Sequence, residues 1–166
     1  MDTKITSRVT KGVIIAGILV ALDLAMQKFY NASVPDGTRY MPRLIIVFLG
    51  ILVSCIIYNK QSGGGLAFGD LFSHGLKTTA LVAFLLAAYT FIAVKFIYPP
   101  PGAAEMEAAV KSIEQGGNAL HQEAVQQAAE GAKNRWVIYV SVSIFASLIP
   151  GLLGSVLAAA TLKKKQ

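Results

Sequence analysis

The order of apolar and polar positions divides the chain into four long apolar stretches with polar or charged ends. These stretches are Gly12–Tyr30, Pro42–Asn59, Thr78–Tyr98 and Trp136–Leu162. A helix rises about 1.5 Å per residue, so about 20 mainly apolar residues cross a hydrocarbon layer of about 30 Å. The first, third and fourth stretches reach this length, and flanking Arg43 and Lys60 extend the second to the polar interfaces. The pattern predicts an all-α polytopic membrane protein built as a four-helix transmembrane bundle.

Composition agrees with a membrane protein. Hydrophobic residues make up 54% of the chain and charged residues 14%, whereas soluble domains carry about 25% charged residues. Because four spans bury their surfaces against one another, we expect one domain over residues 1–166. The single cysteine, Cys55, lies inside the second span and predicts no internal disulfide.

The excess of positive charge lies at the ends of the spans. The two terminal segments hold Lys4, Arg8, Lys11, Lys163, Lys164 and Lys165. This placement is typical of residues that set membrane topology, and it does not indicate a nucleic-acid partner. Four spans put both termini on one side, and short basic tails favour the cytoplasm. We therefore expect loops 31–41 and 99–135 to lie outside, with Pro35, Asp36 and Gly37 forming a turn in the first.

The inner loop, 60–77, begins with a glycine run that predicts a flexible hinge. Asp70 then predicts a helix cap, with a helix from Leu71 to Tyr98 about 42 Å long. This length exceeds the hydrocarbon core, so we expect His74 and Lys77 at the interface. Lys77 is interpreted as an anchor for the helix end, or as a contact for anionic lipid headgroups.

The outer loop, 99–135, is too long to be a simple connection. Three prolines end the third helix, and residues 103–132 are rich in Ala, Glu and Gln, which favour helix. The pattern predicts two short amphipathic helices separated by Gly116 and Gly117, an extra helical hairpin in this loop. Such a hairpin caps its own bundle or offers a docking surface to a partner, and we favour the cap.

Small residues recur at every fourth position of the fourth span. The series is Ser143, Ser147, Gly151, Ser155 and Ala159. Helices in lipid associate by close packing, so this helix-packing ridge predicts a tight contact, within the chain or in an oligomer. Pro150 interrupts the same span, predicts a kink and frees the carbonyl of Ala146, which Ser147 or a water can satisfy. The kink is a static bend or a gating hinge.

Asp23 is the one acidic residue within the predicted spans. Counted from Gly12, it lies near the middle of the first span, where a carboxylate must pair or stay protonated. Lys95, near the outer end of the third span, is the candidate partner. Asp23 and Lys95 together form the candidate intramembrane polar site, either a proton or cation site or a structural anchor.

No familiar catalytic or metal-binding pattern is visible in the sequence. Neither His74 nor His121 has a partner at metal-ligand spacing, and the glycine run before Lys77 fails the spacing of a phosphate loop. No Ser-His-Asp arrangement or pair of carboxylates stands out. The sequence therefore predicts no enzyme activity, no metal and no cofactor.

The segment FGDLFSHGLKTTA, residues 68 to 80, carries a family resemblance. Phe68, Phe72, Gly75, Lys77 and Thr78 match a junction in a family of four-pass bacterial inner-membrane proteins, the domain of unknown function 4199 type. The resemblance covers nearly the whole chain and implies two spans, an aromatic-rich inner loop, a third span, a long outer helical segment and a fourth span. It also implies a bacterial inner membrane, and no activity is known for the family.

Two functional hypotheses follow from these features. The first is a non-enzymatic interaction, assembly or accessory subunit that acts as a homo-oligomer or with a membrane-protein partner in the lipid bilayer. The alternative is a small transporter or channel that uses Asp23. A membrane enzyme has little support because the sequence shows no nucleophile–base pair.

Overall fold

The described parts of all four apolar stretches form helices in the computed structural model, which describes residues 7–29, 36–97, 111 and 119–162. The helices are α1 (Arg8–Phe29), α2 (Asp36–Gln61), α3 (Phe68–Ile92), which continues as a π-helical turn (Ala93–Ile97), and α4 (Ala119–Leu162). Each contains a segment long and apolar enough to cross a membrane, namely Arg8–Met26, Met41–Gln61, Phe68–Phe96 and Trp136–Leu162. The predicted all-α, four-span fold is confirmed, and the protein is a multi-pass membrane protein.

Helices α2 and α3 begin before the turn and the cap that were predicted for them. Helix α2 starts at Asp36, so the expected turn at Asp36 and Gly37 is wrong, and Pro42 lies inside the helix. Helix α3 starts at Phe68, and the Leu71 amide donates to the Ala67 carbonyl at 3.3 Å. Asp70 therefore lies in the first turn of α3 instead of capping it. At that position its negative charge still interacts favourably with the helix dipole.

The glycine run after α2 forms a hydrogen-bonded turn and not a free hinge. Gly63, Gly64 and Gly65 all have positive φ, at 84°, 78° and 68°. The Gly64 amide donates to the Asn59 carbonyl at 2.8 Å, and the Gly63 amide donates to the Lys60 carbonyl at 3.2 Å. These bonds satisfy carbonyls that the end of a helix leaves open, and left-handed glycine is the residue that permits them.

The chain divides into two compact units, Met1–Ala87 with Ser143–Gln166, and Ala88–Val142. The first unit, called the bundle here, packs parts of all four helices around an apolar core. The core residues are Ile15, Leu19, Val47, Ile51, Cys55, Val82, Leu86 and Ala158. Lateral contacts join Lys11 to Gln61, Tyr58 to His74, and Gly75 to Ser155. The start of α1, the end of α2, the start of α3 and the end of α4 therefore meet at one end of the bundle, the polar end.

The packing ridge of α4 lies inside the bundle. Ser143, Ser147, Gly151, Ser155 and Ala159 are all buried. A Cβ added at Gly151 would lie 2.6 Å from Thr79 Oγ1 on α3, and one added at Gly154 would lie 2.8 Å from the Phe48 carbonyl oxygen on α2. The ridge thus brings α4 against α2 and α3 of the same chain.

Hydroxyl groups on the ridge bond back to their own helix. Ser147 Oγ donates to the Ser143 carbonyl at 2.8 Å, and Ser155 Oγ donates to the Gly151 carbonyl at 2.7 Å. Ser147 was predicted, with water as the alternative, to satisfy the Ala146 carbonyl. Its hydroxyl bonds instead to the carbonyl four residues before it. Helix α4 is continuous through Pro150, and the predicted kink stays a prediction.

The second unit contains the end of α3 and the first half of α4. Residues 119–135 are helical, as expected for the second helix of the outer hairpin, but they run into the fourth span without a break. The first hairpin helix lies outside the described residues, apart from helical Lys111, as does the predicted break at Gly116 and Gly117. Phe91 and Trp136 pack edge to face, with ring centroids 5.3 Å apart.

Candidate functional site

Two stripes of polar side chains meet at the polar end of the bundle. Helix α2 contributes Ser54, Tyr58 and Gln61, and helix α3 contributes Asp70, Ser73, His74 and Lys77. Within each stripe the spacing is three or four residues, which puts the side chains on one face of a helix. The two faces meet because the glycine turn reverses the chain between α2 and α3.

His74 lies on α3 and is buried against α2, and its predicted position at the membrane interface stays a prediction. Its ring stacks on Tyr58 with centroids 4.0 Å apart and an interplanar angle of 3°. Its Nε2 is 3.2 Å from Ser54 Oγ, and only 3% of the residue is exposed. Nδ1 is buried without a hydrogen-bond partner among the described residues. These contacts fix the orientation of both rings.

Lys11 is part of the bundle and not of a free terminal tail. Helix α1 begins at Arg8, so Lys11 lies in the first turn and is 6% exposed. Its Nζ donates to Gln61 Oε1 at 3.4 Å and lies 5.6 Å from the centroid of the Tyr58 ring. A buried ammonium is costly unless it is paired, and these contacts give it an amide oxygen and a ring face.

A cavity of about 180 Å³ opens beside this cluster. Its lining side chains are Arg8, Tyr58, Asp70, Ser73, His74 and Lys77. Two cations and one carboxylate therefore border it, and the backbone around all three charged residues is helical. The cavity is a preformed polar recess next to fixed aromatic rings.

The structure brings Ser54 to His74, a pair that the sequence analysis missed. A serine hydrogen-bonded to a histidine is the core of many hydrolase sites. Here both residues are only 3% exposed, and Asp70 makes no hydrogen bond to His74 Nδ1, which has no described partner. The described residues also hold no group of three His, Cys, Asp or Glu side chains able to bind a metal ion. The hydrogen bond of this pair joins α2 to α3.

Asp23 and Lys95 lie in different units of the chain. Asp23 is partly exposed and lies within the first membrane-spanning segment, Arg8–Met26, and its depth in the membrane stays a prediction. Lys95 is exposed in the π-helical turn, with its Nζ 5.1 Å from the Phe91 ring centroid and 5.3 Å from that of Trp136. A salt bridge between Asp23 and Lys95 stays a prediction.

Arg43 was predicted to extend the second span to the polar interface. It lies within α2 as the third residue of the membrane-spanning segment Met41–Gln61, and its depth in the membrane stays a prediction. Its Nη2 donates to Ser143 Oγ on the packing ridge. This contact joins α2 to α4 toward the end of the bundle opposite the cavity.

The spacing of polar residues in the sequence already indicates the side of the cavity that α3 forms. Asp70, His74 and Lys77 follow one another at intervals of four and three residues, so they share a face of α3. From the sequence, His74 and Lys77 were expected at the interface and Asp70 was expected to cap a helix. Their convergence with Arg8 and Tyr58 depends on how three helices pack, which no local pattern encodes.

Comparison with known proteins identifies the family. No curated protein and no solved structure matches the chain. The family model described as "Protein of unknown function (DUF4199)" matches residues 10–164, which cover the four membrane-spanning segments except for the first two residues of the first one. The chain is a member of this DUF4199 family.

Proposed function

We propose that this protein is a non-enzymatic accessory or assembly subunit in a membrane. We propose further that it is not a transporter, a channel or an enzyme. The observation that carries the proposal is the apolar core that the described residues form inside the bundle. Ile15, Ile51, Val82 and Leu86 fill its centre, and buried Ser147 and Ser155 direct their hydroxyls at their own helix. A polar route through the bundle would need side chains that face a water-filled space.

A partner would have to bind the outer surface of the bundle. The small-residue ridge is already used within the chain, so it leaves no tight-packing seam on α4 for a second molecule. Large apolar side chains point outward from every helix, with Phe84 71% exposed and Phe145 63% exposed. In a bilayer such side chains contact lipid, or a partner helix where one binds.

Site-directed photo-crosslinking in the membrane tests this proposal. A photoreactive residue is placed at one exposed apolar position on each helix, Ile14, Ile45, Phe84 and Phe145. We expect protein adducts concentrated on one helix face, either of a second copy or of another membrane protein. Gentle-detergent purification should then recover the same complex. A solitary monomer with only lipid adducts at all four positions would overturn the proposal.

A small transporter or channel is the second candidate, favoured by the partly exposed carboxylate of Asp23 within a membrane-spanning segment. Replacement of Asp23 by Asn should then abolish a measurable ion or proton flux in vesicles. Asp70→Asn, a carboxylate exposed at the polar end, is the matched control and should keep the flux. Equal flux in the wild type and the Asp23→Asn variant removes this candidate.

The enzyme hypothesis has a direct test of its own. A fluorophosphonate probe labels serines that an adjacent histidine activates. We expect no labelling of Ser54, because it is 3% exposed and hydrogen-bonded to His74, which is itself stacked on Tyr58. Labelling that disappears in Ser54→Ala would contradict the non-enzymatic proposal.

For location, the basic tails and the family resemblance support a bacterial inner membrane with cytoplasmic termini.

A further inference from the structure

We propose that the cavity at the polar end binds one phosphate group, carried by an anionic lipid headgroup or by a free phosphate anion. This inference goes beyond the accessory role proposed above and does not depend on it. The cavity is bordered by Arg8 and Lys77, both exposed, and by the hydroxyl-bearing Tyr58 and Ser73. Guanidinium, ammonium and hydroxyl donors are the groups that recognise phosphate oxygens.

The two cations come from different helices but lie at the same level of the bundle. Gly12 of α1 contacts Leu81 of α3, since a Cβ added at Gly12 would lie 2.7 Å from Leu81 Cδ2. Arg8 and Lys77 each precede one of these residues by four positions, which is about one helical turn. Both side chains therefore rise from adjacent turns at the same end, which places them to hold one anion from two sides.

The size of the cavity suits a headgroup-sized anion. At about 180 Å³ it is smaller than the 300 to 1,000 Å³ or so that is typical of pockets for drug-sized ligands. Arg8 and Phe68 are the first residues of two membrane-spanning segments, and Gln61 is the last of a third. The recess between them is therefore at the boundary of the apolar segments, where lipid phosphates lie.

The wall of the cavity is preorganised. Tyr58 is fixed by the stack on His74 and by the Lys11 ammonium near its ring, and His74 is fixed in turn by Ser54. Lys11 adds a third positive charge behind this wall. A rigid wall keeps the ordering cost of binding low, because only the Arg8 and Lys77 side chains need to be immobilised.

Asp70 also lines the cavity and opposes the binding of an anion. It lies seven residues before Lys77 on α3, about 10 Å along the helix, so its repulsion acts from the outer rim. Replacement of a cation and replacement of Asp70 should therefore change the affinity for an anion in opposite directions. Loss of Arg8 or Lys77 should weaken binding, whereas loss of the Asp70 charge should strengthen it. A purely structural role for these residues predicts no such reversal.

Lipid titration of the detergent-purified full chain tests the proposal, with native mass spectrometry to count bound lipid. We expect phosphatidylglycerol to bind more tightly than zwitterionic phosphatidylcholine. Arg8→Gln and Lys77→Gln should each weaken phosphatidylglycerol binding by roughly tenfold, and Lys77→Arg should retain it. Asp70→Asn should bind at least as tightly as wild type. Lys60→Gln, an exposed cation at the end of α2 that does not line the cavity, is the matched control and should change binding less than twofold.

Inorganic phosphate distinguishes the two sources of the anion. If phosphate alone raises the melting temperature and phosphatidylglycerol does not, the cavity takes a free anion; the reverse result identifies a lipid headgroup. Either result supports the site if it disappears in Lys77→Gln and persists in Lys60→Gln. Equal binding of both lipids together with no phosphate effect in the wild type would overturn the proposal. An equal loss in Lys60→Gln and Lys77→Gln would also overturn it.

Discussion

Gly75 and Gly151 set the distance between helices by having no side chain. A Cβ at Gly75 would lie 2.7 Å from Ser155 Cβ and 3.0 Å from Cys55 Sγ, and one at Gly151 would lie 3.0 Å from Thr79 Cβ. Both positions are buried. In lipid, where water does not drive helices together, such close approach supplies the dispersion contacts that hold a bundle together.

Single methyl groups added at these glycines should therefore destabilise the bundle. We expect Gly75→Ala and Gly151→Ala each to lower the free energy of unfolding by about 1–3 kcal/mol, because overpacking forces helices α3 and α4 apart. Unfolding of the detergent-solubilised protein by SDS, followed by circular dichroism, measures the change.

Gly17 supplies the control for this pair. It lies in α1 with no atom within 4 Å of an added Cβ, so Gly17→Ala should be neutral or stabilise by up to about 1 kcal/mol through helix propensity. If all three variants lose the same stability, close packing at Gly75 and Gly151 is not what holds α3 and α4 together.

At the scale of elements, the glycine turn decides how α2 and α3 meet. Three successive left-handed residues end α2, return the chain in six residues and aim the polar face of α3 at that of α2. Leu66 adds to the turn, because its amide donates to Asn59 Oδ1 at 3.3 Å. The cavity depends on this turn, since Tyr58 and His74 lie on either side of it.

Replacement of Gly64 by Ala tests the turn. No atom lies within 4 Å of an added Cβ at Gly64, so the effect comes from its φ of 78° alone. We expect a loss of about 1–2 kcal/mol, the cost of placing an L-residue in the left-handed region. Gly69→Ala, in the first turn of α3 and equally unobstructed, should lose no stability. Equal melting temperatures for the two variants would show that the turn is not constrained.

For the whole molecule, the bundle is antiparallel from one helix to the next. Helices α1 and α3 begin, and α2 and α4 end, at the polar end. The first and last helix ends of the described chain therefore lie together, as four crossings require. This arrangement concentrates Arg8, Lys11, Lys60 and Lys77 at one end of the bundle, in line with the predicted cytoplasmic side.

Reporter fusions in cells measure this topology. Compartment-specific reporters at Met1, after Gly64 and at Gln166 should all report one compartment, the cytoplasm. A reporter placed after residue 118, in the outer loop, should report the opposite one and serves as the internal control. Opposite compartments for Met1 and Gln166 would contradict the four-span topology.

The sequence alone determined the number of spans, the all-α class and the family, because runs of about 20 apolar residues and their charged ends are local properties of the chain. It also identified the small-residue ridge, whose five residues are all buried, whereas the interfacial placement of His74 and Lys77 stays a prediction. The predicted starts of two helices were less accurate. Aspartate is typical of turns and helix caps, but Asp36 lies in the first turn of α2 and Asp70 in the first turn of α3.

Only the tertiary structure decided what the polar residues do. Lys11 has the sequence pattern of a topology signal, yet it is buried beside Gln61 because α1 packs on α2 at that turn. Ser54 and His74 are 20 residues apart and meet at 3.2 Å, which no periodicity predicts. The cavity likewise forms only where the ends of α1, α2 and α3 lie at the same level of the bundle. Interhelical contacts of this kind depend on packing distances and rotations, and these are properties of the assembled bundle and not of any single segment.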